Sequence, residues 1–520
     1  MRTSAALLLF LLVTPGWLSA QALPVGDPVL ERIYRMGMEE SRLYPLAQTL
    51  LDSVGPRLTG SPGHLAANEW ARATFEGWGI PAVNEPYGTW IAWQRGITHL
   101  DLVRPRVRSL EATLLAWSPG TGGRTVEAEV VALPEAGGPS AFASWLPSVR
   151  GKAVAISFPE PTCRPDDNWE RFATPATLRR MRAERAAADS AWDDRIADAG
   201  GRLALVDALV EAGAAAILTS YWSRGWGVNK VFSASTKVIP TLDVSCEDYG
   251  LLVRLAEHAQ GPRVRLRADA QFQGEVPVHN TVATLRGSER PDEYILLSAH
   301  YDSWDGASGA TDNGTGSVTM MEAMRILREV YPAPRRTIVA ALWGGEEQGL
   351  NGSRAFAADH PEVVEGLQAV FNQDNGTGRV ERISMQGLVE AGGHFGRWLS
   401  RIPADITGHI ELELPGTPGG GGSDYASFVC AGAPAFGLSS LSWDYRTYTW
   451  HTNRDSFDKL VFDELRNNAT LVAMLAYLAS EEPELIPRTR RELPVSGRTG
   501  QPMEWPACRD ARRTSEGYRR

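Results

Sequence analysis

Five side chains able to bind a divalent cation stand at turns that follow apolar runs: His300, Asp312, Glu347, Asp374 and His451. The stretch Tyr294–Ala299 ends in His300-Tyr301-Asp302-Ser303, and a glycine-rich turn then gives Gly309-Ala310-Thr311-Asp312-Asn313-Gly314. Thr337–Trp343 runs into Gly344-Gly345-Glu346-Glu347, and Leu367–Asn372 into Gln373-Asp374-Asn375. Trp450-His451-Thr452 follows near the end. Singly, each residue has an ordinary reading. His300 and His451 read as satisfied or surface histidines, and Asp312 as the N-cap of an apolar helix. Glu346-Glu347 reads as an acidic helix start, and Asp374-Asn375-Gly376 as a turn. Their joint occurrence at successive strand ends favours a metal site.

Zinc accepts imidazole and carboxylate together. Two zinc ions roughly 3.5–4 Å apart clamp a water and a scissile carbonyl in hydrolysis. A pair of dications needs carboxylates to neutralise it, one of them shared, and Asp312 suits that bridge. Of the adjacent Glu346 and Glu347, one can coordinate while the other takes the water proton and passes it on. Asp302, two residues past His300, is placed to fix the imidazole tautomer from behind.

The elements that must position these groups follow from periodicity. From His279 onward, apolar strands (Tyr294–Ala299, Thr337–Trp343, Leu367–Asn372) alternate with helical patterns (Ser317–Val330, Phe462–Ala479). That alternation predicts an α/β three-layer sandwich with a mostly parallel central sheet, whose ligands collect at the carboxyl ends of strands. Upstream, Pro28–Val54 and Ala66–Trp78 read as helices around the turn-rich Gly55–Gly63, and His99–Val103 and Leu110–Trp117 as strands. After the break Pro119–Gly123, a region with its own core but no convergent ligands spans roughly 122–274. It includes strands near Ala128–Leu133, Ala153–Phe158, Ala214–Thr219 and Ile239–Val244, and helices Thr177–Ala199 and Leu203–Ala212. This reads as an inserted non-catalytic domain, with 21–121 and 275–487 as the two parts of the main domain and 488–520 as a loosely ordered, arginine-rich tail.

The 520 residues, 43% hydrophobic and 22% charged, exceed one ordinary core. The net charge of −10, with no basic stripe, argues against a nucleic-acid partner. Arg2, the apolar run Ala5–Val13 and Leu18-Ser19-Ala20 read as a signal peptide over 1–20, so the mature chain is expected to be secreted or periplasmic. No later stretch has the length of a membrane span. Cys163, Cys246, Cys430 and Cys508 fit either disulfides or free thiols, and three pairings are open.

Together, His300-Tyr301-Asp302-Ser303-Trp304-Asp305, Gly309-Ala310-Thr311-Asp312-Asn313, Gly344-Gly345-Glu346-Glu347-Gln348-Gly349, Asp374, Gly422-Ser423-Asp424 and His451-Thr452 resemble the co-catalytic two-zinc exopeptidases. That family includes bacterial leucyl aminopeptidases and glutamate carboxypeptidases, and the Asp-Ser-Trp-Asp segment is most similar to its carboxypeptidase Q branch. The resemblance implies two zinc ions, a short-peptide substrate and a β-rich protease-associated domain at 122–274, and leaves a homodimer open. It places His300 and Asp374 on one zinc, Glu347 and His451 on the other, Asp312 between them and Glu346 as general acid/base. Asp302 matches the family's supporting aspartate. Asp424 matches a serine–aspartate motif beside the site, with a structural turn as an equal reading. Family members carry an oxyanion-binding tyrosine where this chain has Gly419–Gly422 and Trp450. Tyr425 and Tyr448 are the substitutes on offer, or zinc alone carries that charge, with Trp450 a further substrate contact.

Two other readings compete. A single-zinc transferase like glutaminyl cyclase shares the His-Tyr-Asp-Ser and Gly-Ala-Thr-Asp motifs, but the 122–274 region argues against it. A non-catalytic, receptor-like homologue would have lost ligands, and here all five and Glu346 are in place.

Overall fold

The computed structural model describes residues 26–497 and 499–518, so the signal-peptide reading of 1–20 lies outside the described residues. Fourteen strands follow in chain order. The first seven are β1 (Ala82–Arg104), β2 (Arg108–Leu110), β3 (Ala112–Leu114), β4 (Val126–Ala132), β5 (Ala153–Ala155), β6 (Ala216–Thr219) and β7 (Thr241–Val244). The rest are β8 (Arg263–Leu285), β9 (Arg290–His300), β10 (Arg336–Trp343), β11 (Leu367–Asn372), β12 (Val380–Ser384), β13 (Glu411–Glu413) and β14 (Ala435–Ser440).

They join in the order β13-β12-β14-β11-β9-β10-β8-β4-β5-β6-β7-β3, with β1 also paired to β8. β9 runs parallel to both β10 and β11, and β11 parallel to β14, so their carboxyl ends share one edge.

Side-chain alternation shows why this half is three-layered. Ile295, Leu297 and Ala299 of β9 and Ile338, Ala340 and Leu342 of β10 enter one core, with helices Pro28–Met38, Pro62–Gly77, Thr315–Val330 and Phe462–Glu481. Leu296, Val339, Ala341 and Trp343 face the other way, against Phe356 and Phe428 of helices Asn351–Asp359 and Ala426–Val429. Strands covered on both faces need apolar residues at every position, which is the continuous pattern of parallel sheets.

The second half of the molecule is built on β4, β5, β6 and β7, parallel to one another, with β3 closing the edge antiparallel to β7. Helices Pro175–Asp198 and Arg202–Glu211 cover it, packing Trp192, Leu205 and Leu209 against Val154 and Ile217. The 23-residue strands β1 and β8 form one antiparallel ribbon running from the first half into this lobe.

Three expectations change. The helix read over Pro28–Val54 is broken: Pro28–Met38 ends and Leu43–Gln48 and Thr49–Val54 follow. The strand read over Leu110–Trp117 is split between β2 and β3, because the Glu111 N–H turns to donate to Asp248 Oδ2 at 2.8 Å. The tail is tied down rather than loose. Cys508 is bonded to Cys430, Trp505 Nε1 donates to Val429 O, and Tyr518 packs on Trp90 and Trp117. The other two cysteines form the Cys163–Cys246 disulfide, so no described cysteine is free.

Candidate metal centre

β9 delivers His300 at its last residue, and the turns after β10 and β11 deliver Glu346-Glu347 and Asp374 at the same sheet edge. Asp312 lies in the loop before helix Thr315–Val330, and His451 follows the short helix Tyr445–Tyr448. The five side chains predicted as ligands converge here. His300 Nε2 stands 3.2 Å from Asp374 Oδ1 and 3.3 Å from Asp312 Oδ1. His451 Nε2 stands 3.3 Å from Asp312 Oδ2 and 2.9 Å from Glu347 Oε2. Asp312 thus turns one oxygen to each imidazole. In each trio, His300-Asp312-Asp374 and Asp312-Glu347-His451, all donor atoms lie within 4.8 Å of one another.

The donor set fits divalent metal: imidazole and carboxylate oxygen in both trios, nearly buried, with Glu347 Oε1 making no hydrogen bond. Electrostatics point the same way. Burial, then Asp374 and Glu347, push the Glu346 carboxyl well above its ordinary range, with His300 opposing. Burial and Asp312 do the same to Glu347. Asp312 itself is held low despite burial, by His451, His300 and the nearby Tyr445 hydroxyl. So much buried negative charge without enough partners is costly unless a cation occupies the centre.

Behind this layer, the loops are fixed by groups the sequence placed only partly. Asp302 was expected to hold the imidazole. Its carboxylate lies 3.7 Å from His300 Nδ1, whereas its carbonyl oxygen lies at 3.0 Å. The carboxylate instead accepts the N–H groups of Glu346 (3.0 Å) and Glu347 (3.2 Å) and the Thr59 hydroxyl. A carboxylate can cap two adjacent N–H groups at once, so it shapes the glutamate turn while the backbone sets the tautomer.

Asp455 accepts the N–H groups of Thr311 and Asp312 and so fixes the bridging residue. Burial and the Asp312 charge raise its pKa to about 7. Buried Arg57 donates to the carbonyls of Gly55, Tyr301, Ser308 and Gly309, tying the turn-rich segment to the glycine loop. Neither was singled out from sequence. Asp455 lies four residues past His451, and only its proximity to a candidate ligand could have marked it.

The tyrosines near the centre differ in what they touch. Tyr448 faces the lobe, with its ring against Gly225. Tyr425 packs on Gly419 and Gly437, within electrostatic reach of Asp374. Tyr445, not proposed from sequence, reaches Asp312, and burial with the Asp312 and Asp374 charges pushes its phenol well above the usual range. Its ring rests where a side chain at residue 376 would be: a Cβ on Gly376 (φ +86°) would lie 3.1 Å from Tyr445 Cδ2. Asp424 is fully buried beside this edge, with its carboxyl raised by burial to about 7.

Trp450 stacks on His451 with centroids 4.0 Å apart, and Lys230 Nζ lies 4.4 Å from the centre of the Trp450 ring. His451 adopts a left-handed backbone (φ +57°), which costs a non-glycine residue about 1 kcal/mol or more. The lobe holds it there. The Val231 N–H donates to His451 O (2.7 Å), Asn453 N–H to Asn229 O, and Lys230 Nζ to the carbonyls of Arg446 and Trp450 (2.9 Å each).

Residues 280–476, which contain every ligand of both trios, match peptidase family M28. Human carboxypeptidase Q is 26% identical over 455 residues, covering 87% of this chain and 88% of its own. The structure of an M28 peptidase precursor from Shewanella amazonensis SB2B superposes with a TM-score of 0.63 at 23% identity, over 88% of this chain and 97% of that one. A zinc aminopeptidase from Bacillus subtilis gives 0.54 at 18% identity, over 84% and 93%. Both structural likenesses extend beyond residues 280–476.

Proposed function

We propose that the protein is an exported zinc-dependent exopeptidase that cleaves terminal bonds of dipeptides or short peptides at a two-zinc site. The observation that carries this reading is the shared Asp312, one oxygen toward each imidazole, with a carboxylate completing either side. His300 and Asp374 would hold one zinc, Glu347 and His451 the other. When bound, the zinc pair supplies a water of lowered pKa and polarises the scissile carbonyl.

Glu346 is the chain's own acid/base. It is held beside the ligands by the Asp302 cap, and its raised pKa suits it to take a proton from water and return it to the leaving amine. Tyr445 has a hydroxyl that stays protonated beside Asp312, and it is the chain's candidate donor to a developing oxyanion. Asp302 and Asp455 position the two loops. Residues 122–274 are read as an inserted protease-associated domain that backs His451. Two disulfides support an oxidising compartment, in line with the expected export.

The test is a dipeptide panel with free and blocked termini, assayed before and after chelation. Release of free amino acids that stops on chelation and returns with zinc is expected. Undiminished hydrolysis by metal-stripped protein would overturn the reading, and pyroglutamate formation would favour the transferase.

A further inference from the structure

Beside the metal edge lies a second cavity of about 480 Å³, walled by helices Asn351–Asp359 and Ala426–Val429, the glycine loop at Gly420 and the tail around Cys508. Its lining combines apolar Leu350, Ala357 and Ala426 with Arg354, Arg509 and Asp510. Neither arginine forms an ion pair or side-chain hydrogen bond among the described residues. Arg513, also in the wall, is satisfied by Asp359 and the Tyr87 carbonyl.

Arg354 is half-buried and feels Arg509 as a like charge, so the pair repels across the cavity. On its other side it lies within electrostatic reach of Asp424 and Glu346. The cavity is therefore near the acid/base, and alongside Asp510 in its wall it carries two arginines that no carboxylate contacts. Its outer wall is fixed by the Cys430–Cys508 bond, so the second cation is carried on an anchored tail. Arginine is the side chain suited to grip a carboxylate with two parallel donors.

We infer that this cavity, formed by Arg354 and Arg509, is a subsite that binds a carboxylate of the peptide substrate. The inference rests on the peptidase reading for its occupant. Two sources share the chemistry: the C-terminal carboxylate of a short peptide and an acidic side chain.

Kinetics on leucyl-alanine, leucyl-alaninamide and leucyl-glutamate separate them. Arg354→Met and, on the exposed tail, Arg509→Met are expected to raise KM about ten- to hundred-fold for the peptide that presents the group. A rise for leucyl-alanine but not its amide assigns the C-terminal carboxylate. A rise confined to leucyl-glutamate assigns the side chain. An equal change on all three peptides, or none on any, overturns the subsite. Calorimetric titration of the full chain with N-acetylglutamate, wild type against Arg509→Met, needs no turnover. Weaker binding by the variant supports the cavity even where the peptidase reading fails, and identical binding contradicts it.

Discussion

Buried charge is treated in opposite ways by the two halves of the molecule. In the lobe it is answered by hydrogen bonds and ion pairs, although burial still pushes Asp243 up to about 8. Asp243 accepts from Asn229 Nδ2 (2.6 Å), the Tyr221 N–H and the Thr219 hydroxyl. Arg185 pairs with both Glu160 and Asp166. At the carboxyl edge of β9, β10 and β11 it is not: Asp312, Glu346, Glu347 and Asp374 crowd around two imidazoles, and the glutamates are pushed far from their ordinary pKa. Satisfied buried polar groups specify a fold, whereas unsatisfied ones are kept for a ligand or for chemistry. The contrast locates the site without reference to any relative.

Substitutions can break that contrast. The largest effect is expected from Glu346→Gln, which removes a proton carrier and leaves every ligand: kcat falls about 10²–10⁴-fold while zinc content is unchanged. Near-normal turnover would make Glu346 merely another buried acid. Tyr445→Phe should lower kcat about 10²–10³-fold with little change in KM, as loss of an oxyanion donor does. A change in KM alone would reassign it to substrate packing.

On the lobe side, replacing Cys163 and Cys246 together by alanine should cost about 2–4 kcal/mol in denaturant unfolding, because the bond closes a loop over 83 residues of sequence separation. Turnover at low temperature should be unaltered; a loss of kcat in the folded variant would show that the lobe takes part in chemistry. The smallest effect sharpens the contact between the halves beside His451. Lys230→Met removes the donor to the carbonyls of Arg446 and Trp450, in the turn that precedes His451, and zinc affinity by competitive chelation should weaken about tenfold. Unchanged affinity would make that contact irrelevant to the metal.

Much of this was legible from residue order. Continuous apolar runs marked β9, β10 and β11, because strands covered on both faces admit no polar alternation. The residue types just after them marked the candidate ligands, whose side chains the fold brings together. What stayed hidden depends on contacts between distant segments. The split between β2 and β3 follows from Asp248, which lies 137 residues away. Arg57 reaches carbonyls about 250 residues on, and no local pattern foretells that. Tyr445 escaped because its place was sought by spacing to Ser423-Asp424 and His451, whereas a helix of one turn brings it to Asp312. The tail read as loose from its polarity, since a disulfide partner 78 residues earlier leaves no periodic trace.

The central claim is that one carboxylate, Asp312, is shared between two metal sites. Elemental analysis of the purified full chain beside Asp312→Ala, with protein mass determined on the same samples, measures this directly. Two zinc ions per wild-type chain are expected, with loss of both, not one, in the variant. One tightly held ion in the wild type, or a variant that still keeps its pair, would contradict it.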